Sequence, residues 1–175
     1  GMVRQVVCTD NICLVTKASS YGIELDGLED SVVTDNISVV DGGQEGLRIQ
    51  ASGQASPSTA VDVYRCTISD NVTIFEADNA SSGFNIVGTG DITSTRISDN
   101  ITVAVSAKTN CNGLVISNGV KVRVSGHVSQ YLANGISIDQ NNVTSTVWLT
   151  DCAAKICTIG LQAPGTYANK TTLYM

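Results

Sequence analysis

Three arginines, one lysine and the single tryptophan recur at matched positions relative to a repeated Asp-Asn pair. Counting back four or six residues from each Asn-equivalent position collects Arg65, Arg96, Lys121, Arg123 and Trp148, with Tyr64 beside the first of them. Guanidinium groups pair with carboxylates and an indole stacks on rings, so this row could hold an anionic sugar polymer. Two other interpretations stay open. Arg123 could simply pack on Trp148 while Arg65 pairs with Asp30, or the row could be a subunit contact, where Trp and Arg are favoured.

Carboxylates form a second set, around the early copies of a repeated Gly-apolar-any-apolar motif. Its members are Glu24, Asp26, Asp41 and Glu45. Paired carboxylates can do acid and base work on a glycosidic bond. Glu24 and Arg48, however, stand at equivalent positions of adjacent copies, where a cross-strand ion pair would form. No motif fixes a hydrolase or lyase site, so the pattern favours a structural role and leaves enzymatic activity undecided.

The repeated aspartates form a third set, which consists of Asp10, Asp35, Asp70 and Asp99. Calcium favours such oxygens and could relieve their repulsion. Asp is also a common turn residue, which is the interpretation that the pattern favours, and no resident metal or cofactor is predicted. His127 stands at an Asn-equivalent position with no nucleophile near it in the repeat, so we expect a turn residue and not a catalyst.

These sets depend on two motifs that alternate along the chain, each in six copies. The first reads apolar, Ser/Thr, Asp, Asn, Ile/Val, and its last two copies carry His127 and Cys152 in place of Asn. The second begins with Gly. Each copy predicts three strands: one that ends at Asp-Asn, one that follows it, and one that begins at Gly. Stacked copies would bury one shared apolar column, as in solenoids.

The corners and the inward side chains follow from the same motifs. Asn tolerates the left-handed conformation, so the Asp-Asn pair predicts a corner whose amides bond from coil to coil. The repeated Gly predicts a second corner, with positive φ. Alternation with a period of two predicts that Ile12, Val72 and Ile74 point inward and that Ser38, Thr73, Thr102 and Ser129 point outward.

This pattern resembles the right-handed β-helices of the pectate-lyase superfamily, which carry a stacked Asn ladder at such a turn. The matching ladder here is Asn11, Asn36, Asn71 and Asn100. The resemblance implies an all-β fold, a right-handed single-stranded parallel β-helix (solenoid) of about six coils. Because that superfamily includes polysaccharide lyases, hydrolases, epimerases and phage tailspikes, the fold alone does not choose a function.

The composition is rich in Ser, Thr, Asn and Gly, with only 15% charged residues, and resembles phage tailspikes and neck appendages. Those are usually homotrimers that bind, and often cleave, cell-surface polysaccharide. No run of like charges indicates a nucleic-acid partner, and no apolar run is long enough to insert into a membrane. We therefore expect a homotrimeric virion-tail module that contacts host polysaccharide. The alternatives are a β-helix polysaccharide lyase or glycoside hydrolase, and a structural adhesin or spacer, at a bacterial surface or secreted.

Residues 1–175 are expected to form one β-helix domain cut from a longer chain, with residues 160–175 as a C-terminal cap. The six cysteines show no metal-binding or redox spacing. They are expected to be free and mostly buried thiols.

Overall fold

The computed structural model describes residues 3–51, 62–78, 82–88, 92–117, 121–139, 145–162 and 171–174. All regular structure in these ranges is β-strand. In chain order the strands are β1 (Val3–Arg4), β2 (Val7–Thr9), β3 (Ile12–Val15), β4 (Tyr21–Asp26), β5 (Leu28–Glu29), β6 (Val32–Thr34), β7 (Ile37–Val40), β8 (Glu45–Ala51), β9 (Val63–Tyr64), β10 (Thr67–Ser69), β11 (Val72–Phe75), β12 (Ser82–Gly88), β13 (Ile92–Thr93), β14 (Arg96–Ser98), β15 (Ile101–Ala104), β16 (Asn112–Ser117), β17 (Lys121–Ser125), β18 (Val128–Gln130), β19 (Asn134–Asp139), β20 (Ser145–Thr150), β21 (Ala153–Lys155), β22 (Ile159–Gln162) and β23 (Thr171–Tyr174). A helix able to span a membrane is not found among them.

In the described chain the first four circuits visit four parallel sheets in turn, and the circuits that begin with β17 and β20 visit three of them. Sheet 1 contains β1, β5, β9 and β13, and sheet 2 contains β2, β6, β10, β14, β17, β20 and β23. Sheet 3 contains β3, β7, β11, β15, β18 and β21, and sheet 4 contains β4, β8, β12, β16, β19 and β22. Because each strand pairs with the strands one circuit earlier and later, the described chain is a parallel β-solenoid of about five turns. The predicted all-β solenoid is confirmed, and the coil count roughly matches. The short strands of sheet 1 were not predicted.

A single apolar column runs the length of the solenoid. Ile68 of β10 lies level with Ile97 of β14, which lies level with Val124 of β17, and all three are buried. Buried isoleucines of sheet 4 belong to the same cluster. Each fully buried Ile side chain contributes roughly 1.5–3 kcal/mol. Because each coil's apolar residues are covered mainly by neighbouring coils, the coils stabilise one another.

The corner between sheets 2 and 3 is made by the Asp of the motif. Asp35 and Asp70 have φ of 58° and 59°, in the left-handed region that was expected for Asn. Gly126, with φ of 64°, takes this place in the fifth copy, which explains why that copy departs from the motif. The following Asn points inward instead, as shown by the buried Asn36 and Asn71.

The inward asparagines form the predicted ladder. The side-chain amide nitrogen of Asn11 donates to Oδ1 of Asn36 at 2.8 Å, Asn36 donates to Asn71 at 2.9 Å, and Asn71 donates to Asn100 at 2.9 Å. Each Oδ1 also accepts from the backbone N–H of the preceding coil's Asn, at 3.1–3.2 Å. The ladder therefore satisfies buried backbone groups at the corner as well as linking four coils.

The predicted orientation of sheet 3 is wrong. Its serines and threonines are buried: Ser38, Thr73, Thr102 and Ser129. Ile12 is 76% exposed, and Ile74 lies on the same outer face. The reason is the corner, where the inward residues Ile68 and Asn71 are separated by three positions. Alternation with a period of two therefore does not continue across it.

The repeated glycines have a different role from the predicted one, since none of them has a positive φ. At Gly83 an added Cβ would lie 2.1 Å from Cγ2 of Thr102, and at Gly46 it would lie 2.3 Å from the side chain of Thr73. The first four repeated glycines lie against an inward Ser or Thr of sheet 3, and Gly135 lies against Ala154. In these five copies the motif uses Gly because there is no space for a side chain.

All six cysteines are free, as predicted, although only Cys66 and Cys111 are buried and the other four are half-buried. Burial raises the pKa of the thiols of Cys66 and Cys152, which favours the unreactive protonated form. Of the predicted cap, β22 continues sheet 4 and β23 pairs with β20 in sheet 2. Residues 163–170 and 175 lie outside the described part.

Candidate functional site

The outer side of sheet 2 carries the predicted basic row. Ile97 of β14 is level with Val124 of β17, so Arg96 lies beside Arg123, and Arg123 is in turn level with Trp148 of β20. Lys121, two residues before Arg123, is level with Thr146. The residues that motif spacing predicted to be neighbours are therefore neighbours in the sheet, because parallel strands stack equivalent residues about 4.8 Å apart.

These side chains line one groove of about 520 Å³. The lining residues are Ile92, Thr93, Ser94, Thr95, Arg96, Lys121, Val122, Arg123 and Trp148. A second groove of about 330 Å³ shares Arg96, Arg123 and Trp148 and extends towards Thr150. None of the described lining residues is acidic. We call the two together the basic groove.

Within the basic groove, Arg123 packs on the Trp148 ring, whereas Arg96 has only a weak ion pair. The guanidinium of Arg123 lies 4.5 Å from the centroid of the Trp148 ring, a cation–π geometry. Arg96 donates from Nε to Oγ of Ser98 at 2.8 Å and reaches Oδ2 of Asp99 at 3.4 Å. The Arg96–Asp99 pair is mostly exposed, and such pairs contribute little. An anionic ligand can therefore replace Asp99 as the partner of Arg96.

Arg65 and Tyr64 do not line the basic groove. Nη2 of Arg65 donates to Asp30 at 2.7 Å and to Glu29 at 2.8 Å, and its guanidinium lies 4.2 Å from the centroid of the Tyr64 ring. These hydrogen bonds raise the pKa of Arg65 and, through the same contact, hold the pKa of Asp30 below its usual value. Arg4 also pairs with Glu29. The alternative considered from the sequence, in which Arg65 pairs with Asp30, is therefore what the structure has at this end of the basic row.

The predicted acids are organised around Arg48 on the outer side of sheet 4. Arg48 pairs at 3.5 Å with Glu24 and with Glu45, and its Nη1 donates to the hydroxyl of Tyr21 at 3.2 Å. Glu45 is only 8% exposed and accepts from Nδ2 of Asn85 at 2.6 Å. The Glu24–Arg48 pair that was considered from the sequence is present.

Burial raises the pKa of the Glu45 carboxyl, although the hydrogen bond from Asn85 and the charge of Arg48 oppose this. A raised carboxyl pKa suits a general acid, but this side chain is enclosed by its partners. Asp26 ends β4 opposite Gln50, and Asp41 is exposed in the turn before β8. The arrangement fits a buried polar network better than a pair of reacting carboxylates.

Among the residues that the structure describes, no group of three or more His, Cys, Asp or Glu side chains is arranged to hold a metal ion. The corner aspartates Asp10, Asp35, Asp70 and Asp99 are exposed. Their left-handed φ values fit the turn interpretation that the sequence favoured, and calcium binding stays the alternative to it.

His127 takes the place of the fifth ladder residue and is fully buried. Its Nε2 lies 3.1 Å from Oγ of Ser129, while Nδ1 has no partner in the described part of the chain. Burial lowers the pKa of His127 to about 3. The imidazole is therefore neutral in the folded chain. It packs beside Phe84, with the two ring centroids 6.1 Å apart.

This burial predicts an acid-sensitive contribution to stability. The unfolded chain protonates His127 near pH 6.5, whereas the folded chain does not until about pH 3. As the pH falls below about 6, the free energy of unfolding should decrease by roughly 1.4 kcal/mol per pH unit because of this group. His127→Asn should remove that loss. Urea unfolding of both proteins at pH 7, 6, 5 and 4.5 measures it, and an identical pH slope in the two would contradict the assignment.

Comparisons of the chain with protein-family models, with curated proteins and with solved structures gave no match. The resemblance to the pectate-lyase superfamily stays a prediction from the sequence. The parallel β-solenoid and its stacked asparagines are what the structure shows.

Two features of the site were not predicted. Thr93, Ser94 and Thr95 line the basic groove and belong to the sheet 1 corner. Counting back six residues aligns the left-handed positions of that corner, which are Gln5, Asp30, Arg65 and Ser94, but their residue types share no motif that predicts a corner. The buried contact of Glu45 with Asn85 was also missed, because Asn85 is level with Arg48 and not with Glu45.

Proposed function

We propose that this chain binds anionic polysaccharide through the basic groove and does no chemistry on it. The observation that carries the proposal is the composition of the groove. Arg96, Lys121, Arg123 and Trp148 line it with no acidic residue among the described lining residues, although acids outnumber bases by 16 to 10 in the whole chain. Such local segregation of charge favours an anionic ligand.

The geometry also favours an extended ligand. The row Arg96, Arg123 and Trp148 crosses three successive coils, and the second groove continues along it. A polymer that carries repeated carboxylates can meet successive guanidinium groups with charge-assisted hydrogen bonds. Trp148, stacked under Arg123, offers an apolar edge for a sugar ring.

The biological setting that we propose is a viral tail appendage that contacts polysaccharide of the host surface. Its support is the Ser/Thr/Asn/Gly-rich composition together with the solenoid architecture. A homotrimer belongs to the same proposal. A bacterial surface protein or secreted protein of the same architecture would use the basic groove in the same way.

The test is a binding measurement with polygalacturonate as the anionic polymer and dextran of similar length as the neutral one. We expect polygalacturonate alone to bind, with an affinity that falls as the salt concentration rises. Trp148→Ala and Arg123→Ala should each weaken binding by about 10-fold, the value of one stacking or charge-assisted contact. Isothermal titration calorimetry gives the dissociation constants.

Arg4→Ala is the matched control, because it removes one exposed positive charge that is paired with Glu29 and lies outside the groove. Its affinity for polygalacturonate should equal that of the wild type. Unchanged affinity in Trp148→Ala and Arg123→Ala, or an equal loss in Arg4→Ala, would overturn the proposal. An equal loss would mean that the whole charge of the chain, and not the groove, attracts the polymer.

A glycoside hydrolase or lyase is the second candidate, and one observation favours it. The raised pKa of Glu45 beside Arg48 is a property of a general acid. Incubation with acidic glycans, followed by measurement of new reducing ends or unsaturated products, separates the two functions. Release that is abolished by Glu45→Gln would establish the enzyme, and we expect no release.

A further inference from the structure

The outer side of sheet 3 carries aliphatic side chains where a solvent-facing strand usually carries polar ones. In its first four strands every outward position is aliphatic: Ile12, Leu14, Ile37, Val39, Val72, Ile74, Ile101 and Val103. We call these eight residues the aliphatic face. Polar outward residues return only in the last two strands, with Gln130 and Lys155.

The other faces of the same coils make this pattern unusual. In these coils sheet 4 carries Glu24, Arg48 and Asn85 outward, and sheet 2 carries Thr67 and Arg96 after Val7 and Val32. The inner side of sheet 3 even holds the polar Thr73 and Thr102. A row of outward positions that are all aliphatic is typical of strands whose outer side is covered. The outer side of sheet 3 has the residue types of a covered face.

The exposed area is sufficient for association. Ile12, Leu14 and Ile101 are 76%, 67% and 40% exposed, and Val105, which follows β15 at the edge of the face, is 66% exposed. Together with the half-buried members, the apolar surface amounts to about 600 Å² per chain, and two such faces in contact would bury about 1,200 Å² in total, the lower bound for a stable interface.

The features of the aliphatic face identify a second copy of this chain as its occupant. Its rows of side chains repeat about every 4.8 Å, as in any β-sheet, so the outer side of another sheet can interdigitate with them, and a second copy supplies such a sheet with the same aliphatic side chains. The face carries no charge, so two chains of net charge −6 meet there with the least repulsion. An acidic or basic partner would gain no ion pair on it.

We propose that the aliphatic face is a self-association surface on which another copy of this chain packs, sheet against sheet. This inference does not depend on polysaccharide binding, since the basic groove lies on sheet 2. It rests on the self-association that the proposed function includes and names the surface through which copies would associate. It assigns the two faces separate tasks: sheet 3 holds copies together, and sheet 2 stays accessible. An oligomer formed in this way displays one basic groove per copy.

The experiment compares two double variants that are matched in exposure. Ile12→Lys with Ile101→Lys changes sites on sheet 3 that are 76% and 40% exposed, and Val7→Lys with Val32→Lys changes sites on sheet 2 that are 73% and 37% exposed. Sedimentation equilibrium of the whole chain should give a mass above 18.2 kDa for the wild type and for the sheet 2 variant. The sheet 3 variant should dissociate roughly 100-fold more readily, because it would bury unpaired charges.

Far-UV circular dichroism and thermal unfolding establish that both variants are folded, as expected for substitutions at such exposed positions. Leu14→Lys, 67% exposed in the wild type, is the second sheet 3 variant if the double substitution prevents folding. A wild type that stays at 18.2 kDa up to millimolar concentration would overturn the proposal. An oligomer that persists in the sheet 3 variants, or that is lost equally in the sheet 2 variant, would overturn it as well.

Discussion

Replacing Asn71 by alanine is expected to lower the free energy of unfolding by about 3–4 kcal/mol, the largest effect of any single truncation of a polar side chain that we anticipate in the described chain. Oδ1 of Asn71 accepts from both the backbone and the side chain of Asn36. Its amide nitrogen donates to the carbonyls of Val33 and Ser69 and to Asn100. Truncation leaves several buried polar groups without a partner, and each of these costs about 1–3 kcal/mol.

Asn11→Ala is the matched control, since Asn11 occupies the same corner in the first coil but is exposed. Its amide donates to Asn36 and to the carbonyl of Thr9, so that water can replace lost partners. We expect a loss of about 1 kcal/mol or less. Urea unfolding measures both variants. Equal losses of unfolding free energy in the two variants would contradict this prediction. They would mean that the burial of Asn71 does not determine how much it stabilises the chain.

Gly113→Ala is expected to destabilise the chain by about 3 kcal/mol, through overpacking. Its Cβ would lie 2.0 Å from Oγ of Ser129 and 2.4 Å from the carbonyl oxygen of Gly135. The second of these is backbone of the neighbouring coil, which can only yield if β16 and β19 separate. For a chain of this length the midpoint of thermal unfolding should fall by roughly 6–12 °C.

Gly160→Ala is the control for this substitution, because it changes the same motif position in the last copy. There the nearest atom to an added Cβ is 3.9 Å away, on Ala154. The stability should change by no more than about 0.5 kcal/mol. A similar loss at both glycines would mean that the repeated Gly serves the backbone conformation and not the close approach of coils.

Much of the fold was predictable from the sequence because a solenoid repeats one set of contacts. Once the Asn of each copy is aligned, Arg96, Arg123 and Trp148 must lie on one line, since stacked strands place equivalent residues side by side. The ladder and the apolar column follow for the same reason. Register was therefore accessible from motif spacing alone.

What could not be predicted depends on local backbone geometry at the corners. A left-handed Asp70 adds one residue between the inward Ile68 and Asn71, which reverses the inward and outward assignment of Thr73 and its neighbours. The pattern of residue types does not reveal this shift, because Thr and Val both suit strands. That one error concealed the aliphatic face, which was assigned to the core.

Arg65 was assigned to the basic row, but it does not line the basic groove, for a different reason. Its partners Glu29 and Asp30 come from the preceding coil, 36 and 35 residues away in the chain. Counting from the motif placed Asp30 level with Arg65 and so offered this ion pair as an alternative. It did not show which of the two interpretations the side chain adopts.

The one-way direction of the Asn ladder gives the solenoid an electrical polarity. Every amide from Asn11 to Asn71 donates towards the later coil, so the individual dipoles point the same way and reinforce one another. The amide oxygens face the first coil. Asn100, the last amide of the row, donates to the carbonyls of Ile68 and Ser98 and not to a residue of the next coil. The aligned row therefore ends on backbone carbonyls at Asn100, and the uncharged state of His127 follows from its burial.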